Sequence, residues 1–246
     1  MNTSLFVKRT LGPHRYLGAL LAILSLIVIS SVAAAADLLT NGSFETPLVP
    51  VGGFTNFGTG STSITGWTVV GPQASVVSGS FASECCKFPA ADGVQWLDLS
   101  GDLANQVEGV EQSVATVAGK TYDLSFEVGN VFDPRGIYGT ASTVAVMVDG
   151  TSLGTFTNSC TACTGTLTWE SFSTSFVASG ATTMVEFLNQ DPTSDNSNGL
   201  DKVVLTGAAA AAPEPATLGL LALGLAGVGL FPRRRRLTKA ASARAA

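Results

Sequence analysis

The sequence predicts an all-β protein: a single β-sandwich of jelly-roll type, preceded by a signal segment and followed by a short membrane-sorting helix. Two observations on residues 37–212 carry the prediction. Helical periodicity never runs longer than two turns, and short alternating segments are separated by Gly, Asn, Asp, Ser and Pro. The 176 residues of this stretch are enough for one core. Residues 121–128 set the pattern, with Tyr122, Leu124, Phe126 and Val128 on every second position. Alternate side chains of a strand face opposite ways, so these seek a core while Asp123, Ser125 and Glu127 face water. Residues 142–148 repeat the pattern with Val144, Val146 and Val148. Asp149-Gly150 follows, a type I′ hairpin pair leading into a strand over 152–157. Further strands are expected over 64–70, 94–99, 110–116, 167–177, 182–188 and 200–206. About ten strands with short turns argue for a sandwich, with a β-barrel second.

Charge narrows the function. The chain has 13 Lys+Arg and 18 Asp+Glu. Three of the bases lie in residues 1–36, and six bases with one acid lie after 212. Residues 37–212 therefore hold 4 bases and 17 acids, a net of −13. Such a domain does not bind nucleic acid by neutralising phosphates. The single histidine, His14, lies in the N-terminal segment, so the middle offers no Ser-His-Asp or Cys-His catalysis and no His-ligated zinc. No phosphate-binding glycine loop or nucleophile elbow is present. A non-enzymatic role is expected.

The two ends read as addresses. Lys8, Arg9 and Arg15 precede an uncharged apolar run over 16–32, and Ala34-Ala35-Ala36 offers a small-residue cleavage site. Residues 1–36 are therefore read as a secretory signal peptide. Residues 208–212 form an Ala-rich linker to the C-terminal segment. There, Pro213-Glu214-Pro215 is followed by an uncharged run over 216–231 and then by Arg233, Arg234, Arg235 and Arg236. Sixteen helical residues span about 24 Å, short of the roughly 30 Å hydrocarbon core. The arginines hold the segment's end, with the tail over 238–246, in the cytoplasm.

This tripartite ending, over residues 213–237, resembles the PEP-CTERM sorting signal. The resemblance implies recognition by an exosortase, an integral-membrane cysteine protease, in a Gram-negative bacterium that makes exopolysaccharide. It also implies export across the inner membrane, transient anchoring there, and a final location at the cell surface or outside the cell.

Five strings in the domain, residues 37–207, carry a second resemblance. They are Asn41-Gly42-Ser43-Phe44-Glu45, Ile64-Thr65-Gly66-Trp67, residues 96–101 (Trp-Leu-Asp-Leu-Ser-Gly), residues 117–126, and Gly199-Leu200-Asp201-Lys202-Val203. In this order they are similar to the choice-of-anchor C family and to the galactose-binding-like sandwiches, which include many carbohydrate-binding modules. The resemblance implies a structural Ca²⁺ held by Glu45 and Asp201, since calcium takes six to eight oxygens. Lys202 stands where the family often has a second aspartate.

Two further groups are candidates. Cys85, Cys86, Cys160 and Cys163 are expected to be oxidised in an exported protein, in one of three pairings. Bonds between the two loops are favoured if the loops lie near one another, because a bond between adjacent cysteines is strained. A Cys₄ zinc site and a redox pair are the alternatives. The loop over 129–140 carries Asn130, Phe132, Asp133, Arg135 and Tyr138, flat apolar surface mixed with hydrogen-bonding groups. Loops of this length on a rigid scaffold are where binding is placed, so these five are the candidate sugar-binding residues. Trp67, Trp96 and Trp169 fall within strand patterns and are read as core. The expected function is an exported surface or matrix protein that binds polysaccharide. A structural surface protein with protein partners is the runner-up, and a polysaccharide-processing enzyme the third reading.

Overall fold

The computed structural model describes residues 36–102, 107–134, 136–191 and 198–207. Residues 1–35, where the signal peptide is expected, Arg135, the linker and the whole sorting tail lie outside the described residues.

Eleven antiparallel strands are described: β1 Phe54–Gly58, β2 Thr68–Val70, β3 Gln73–Ser78, β4 Gln95–Asp98, β5 Gly109–Ala115, β6 Thr121–Asn130, β7 Ser142–Val148, β8 Thr151–Asn158, β9 Thr168–Val177, β10 Thr182–Asn189 and β11 Gly199–Gly207. They form a six-stranded sheet, β1-β3-β4-β11-β6-β9, and a five-stranded sheet, β2-β5-β10-β7-β8. The fold is the expected all-β sandwich. Alternation places the strands: Tyr122, Leu124, Phe126 and Val128 of β6 are buried, as are Val144, Val146 and Val148 of β7. They meet Val76, Leu97, Val110, Val185, Phe187 and Leu200 in one core between the sheets. Asp149 and Gly150 both have positive φ, 48° and 75°, as the type I′ turn between β7 and β8 requires.

Strands β1 and β3 were not foreseen. β3 has no alternation to read because it is buried on both faces, from Ala74 through Ser78. β1 is an edge strand with one buried side chain, Phe57. The 64–70 segment is only partly strand: Ile64 and Trp67 are buried, but they close a turn through a Trp67 N–H to Ile64 carbonyl bond of 2.9 Å.

β11 carries a bulge between Asp201 and Val204, where two residues oppose Phe126. The extra residue resets the alternation, so Leu200, Val203 and Leu205 all reach the core. Lys202, at φ 50°, is exposed, and Asp201 points out of the opposite sheet face, fully buried.

That outer face of the six-stranded sheet is covered. Val77 and Trp96 project from it and are roofed by Cys86 and Phe88 of the β3–β4 loop, Val131 after β6 and Leu167 before β9. Trp169 lies over the Gly129–Gly199 pair, where a Cβ on either glycine would come within 3.0 Å of its ring. All three indole N–H groups end on backbone carbonyls: Trp67 on Asn41, Trp96 on Phe88 and Trp169 on Pro89.

Gln95 ties the opening segment to β4. Its Nε2 donates to the carbonyls of Phe44 (2.7 Å) and Pro47 (2.8 Å), and its Oε1 accepts from the Val49 N–H (2.8 Å). Replacement by leucine strands three backbone groups, each worth about 1–3 kcal/mol when left unpaired inside. Gln95→Leu is expected to lose about 3 kcal/mol or more, read by urea unfolding.

Candidate functional site

Two rows of side chains cross the outer face of β1, β3 and β4. The registers Phe54↔Val77 and Val77↔Trp96 make an apolar row. One step along, Asn56↔Ser75 and Ser75↔Asp98 make a polar row. Period-two alternation requires that both rows share one face. Above them stand Phe81 and Phe88 of the β3–β4 loop, Ile137 and Tyr138 of the β6–β7 loop, and Gly101 and Asp102 of the turn after β4. Together they enclose a cleft of about 120 Å³.

The rings pack on one another. Phe88 meets Tyr138 at 5.0 Å, Phe81 at 5.4 Å and Trp96 at 6.3 Å, and Phe54 meets Phe81 edge-on at 5.6 Å. Phe54 remains 39% exposed. On the polar side, Ser75 Oγ donates to Asn56 Oδ1, and Asn56 Nδ2 donates to Asp102 Oδ2. Asp98 is buried, and its Oδ1 takes three bonds: from the Ser100 N–H (3.0 Å), the Ser100 hydroxyl (2.8 Å) and the Asn198 N–H (3.2 Å). Burial pushes its carboxyl up from 3.8 to about 7; those bonds oppose the rise, and the nearby Asp102 charge adds to it.

The sequence candidates scatter around this cleft. Tyr138 lines it. Asn130 ends β6, fully buried, with its Oδ1 3.5 Å from the Ser142 hydroxyl. Phe132 and Asp133, half-buried, bridge to Thr164 and Gly139, and Arg135 lies outside the described residues. Phe54, Phe81, Phe88, Trp96, Asp98 and Asp102 were not singled out as ligand-binding, because they come from four segments joined only by strand register. The one local hint is Trp96 and Asp98, two apart on one strand and therefore on one face.

Glu45 and Asp201 do come together, on a single segment. Glu45 Oε1 accepts the N–H groups of Val94 (2.8 Å) and Gln95 (3.0 Å). Asp201 Oδ2 accepts those of Ala91 (2.8 Å) and Asp92 (2.9 Å), and its Oδ1 accepts that of Lys202 (2.7 Å). Two of the four oxygens thus have both lone pairs taken by N–H donors, whose positive ends point where a cation would sit. Among the described residues no group of three or more His, Cys, Asp or Glu could hold a metal. As placed, the two carboxylates grip a backbone segment.

The cysteines are all oxidised, but within each loop: Cys85 to Cys86, and Cys160 to Cys163. The favoured inter-loop pairing does not form, although the loops run side by side through the Lys87–Thr166 bridge. The reason is local. The 160–163 turn closes on itself, Cys163 N–H to Cys160 carbonyl, and its Cys163 carbonyl is held by the Phe132 N–H.

Burial also pushes Asp201 up to about 7, against its three N–H bonds and with the Asp92 charge adding to the rise. A carboxyl raised on folding stabilises fully below its unfolded value, and that stability is lost as pH climbs through the folded value. For Asp98 and Asp201 the window runs from about pH 4 to pH 7. Thermal unfolding is expected at a higher temperature at pH 5 than at pH 8, and Asp98→Asn should shrink the difference. Calcium and EDTA should each leave the unfolding temperature unchanged, read by calorimetry.

A family described as "Protein of unknown function (DUF642)" matches residues 37–205, and the PEP-CTERM protein-sorting motif matches residues 211–235. No curated protein matches. Among solved structures, the chain is similar to a cyclase from Fischerella sp. TAU, at 17% identity and TM-score 0.49, covering 72% of this chain and 99% of that one. It is similar to TmCBM61 in complex with beta-1,4-galactotriose, at 15% identity and TM-score 0.42, covering 71% and 100%. A family 35 carbohydrate binding module from an environmental isolate follows at 17% identity and TM-score 0.37, covering 56% and 98%. The sorting motif indicates a secreted protein whose tail is transiently anchored in the membrane and processed by an exosortase. With most of its length matched, the chain belongs to the DUF642 family and ends in a PEP-CTERM sorting signal.

Proposed function

We propose that this is a non-catalytic exported protein that binds polysaccharide at the cell surface or in the surrounding matrix, through the cleft on β1, β3 and β4. The observation that carries the reading is the pairing of an apolar row, with Phe54 and Trp96 at its ends, with a polar row on one face, open at Phe54 and Tyr138. Sugar rings present C–H faces and hydroxyl edges, so a flat apolar surface beside hydrogen-bond acceptors suits them. At about 120 Å³ the cleft is smaller than the roughly 300–1,000 Å³ of small-molecule pockets. It suits one residue of a polymer whose remainder lies outside.

Hydrolysis is the weaker reading. It needs two carboxylates flanking the scissile bond. Asp98 and Asp102 leave one wall, the end of β4 and the turn after it.

The test is affinity electrophoresis of the full chain, in detergent, against the producing bacterium's exopolysaccharide. Retardation is expected, and Phe54→Ala and Tyr138→Ala should each weaken it about tenfold, the equivalent of about 1.4 kcal/mol. Unretarded folded protein, or variants that bind like the parent, would refute the site.

A further inference from the structure

We propose that the cleft selects a sugar bearing a free amine, a hexosamine residue whose nitrogen is a primary ammonium rather than an acetamide. This deepens the polysaccharide reading and rests on it.

The cleft's polar chemistry is almost entirely accepting. Among the described residues its lining contains Asp98 and Asp102 and no Lys, Arg or His. Its Ser75 hydroxyl is already donated to Asn56. With Asp98 ionised, the Tyr138 hydroxyl is the side-chain donor that remains among the described lining residues. An ammonium has three donors and no acceptor, so its chemistry complements an accepting lining. An acetamide brings a carbonyl that needs a donor, and a uronate brings a charge that two carboxylates repel.

Asp98 shows the unfilled valence directly. The three hydrogen bonds it makes to described residues all fall on Oδ1, which leaves Oδ2 open to the cleft. The residue is 7% exposed and lines the cleft. When ionised, a carboxylate with one oxygen facing an aromatic enclosure is less well solvated than in bulk water, and a cation is a group that can pair with that oxygen. Asp102 stands beside it as a second anion, its Oδ2 held by Asn56. The rings add to the preference, because their faces attract an ammonium within about 6 Å. The domain's excess of acids draws cationic polymer toward it from a distance.

A lysine side chain of a protein partner would offer the same ammonium. The sugar is favoured because the cleft is walled by rings on both loops, which suits a flat saccharide ring more than a thin alkyl stem.

The experiment is calorimetric titration of the full chain, in detergent, with four probes: a glucosamine hexamer, its N-acetylated counterpart, a neutral glucose hexamer and a lysine hexapeptide. At low salt and a pH where the amine is charged, the glucosamine hexamer is expected to bind at least tenfold tighter than either other sugar. Asp98→Asn and Asp102→Asn should each remove that preference. Asp98→Asn keeps an Oδ1 acceptor for Ser100 and Asn198, and a cooperative melt checks that it folds. Equal affinity for the three sugars overturns the amine selectivity and leaves the sugar site standing. Binding of the peptide alone overturns both, as does no binding of any probe. A preference that survives in both folded variants overturns the assignment to these carboxylates.

Discussion

The architecture turns on the grip of two carboxylates and one carboxamide on the segment that enters β4. Glu45 comes from the opening of the domain and Asp201 from its last strand, and both take backbone N–H groups of residues 91–95. Gln95, inside that segment, reaches back to the Phe44 and Pro47 carbonyls. Backbone groups inside a protein must find partners, and here distant chain segments supply them. The segment is thereby held at its β4 end while Trp96 binds the Phe88 carbonyl farther back. The β3–β4 loop is thus fixed over the sheet as a roof. Without that clasp the outer aromatic layer would be open to water.

The roof explains why this sandwich has two hydrophobic layers. The inter-sheet core is what any antiparallel sandwich builds. The outer layer forms because Val77 and Trp96 need covering, and the loops before β4, after β6 and before β9 converge to cover them. Coverage is incomplete at one margin, where Phe54, Ile137 and Tyr138 stand beside Asp98 and Asp102. That margin is the cleft. Burying Asp98 there costs free energy that a closed apolar core would avoid, and its burial pushes the carboxyl up to about 7.

Much of the fold was legible because alternation is local. β6, β7 and β10 each face a hydrophobic core on one side only, so their sequences carry the period of two. β3 was invisible for the opposite reason, being buried on both faces, and β1 because it is an edge strand with little to bury. The recurring strings proved to be neighbours: Asn41 accepts the Trp67 indole, Gly42 accepts the Val203 N–H, and Glu45 holds the residues just before Trp96. The opening string, the Ile64–Trp67 string and the last-strand string meet in one clasp, while the 96–101 string runs on from it into the cleft.

By itself the sequence determined the class of fold, the acidity of the domain and the sorting signal near its C-terminus. These are properties of composition and of spacing within a few residues. Which cysteines pair, what Glu45 and Asp201 hold, and which side chains share the cleft were decided only in three dimensions. Phe54, Val77 and Trp96 lie up to 42 positions apart, and register across three strands alone makes them a row. A strand's own pattern says which face a residue takes. It does not say which strand will lie beside it, because that depends on contacts made by the rest of the chain.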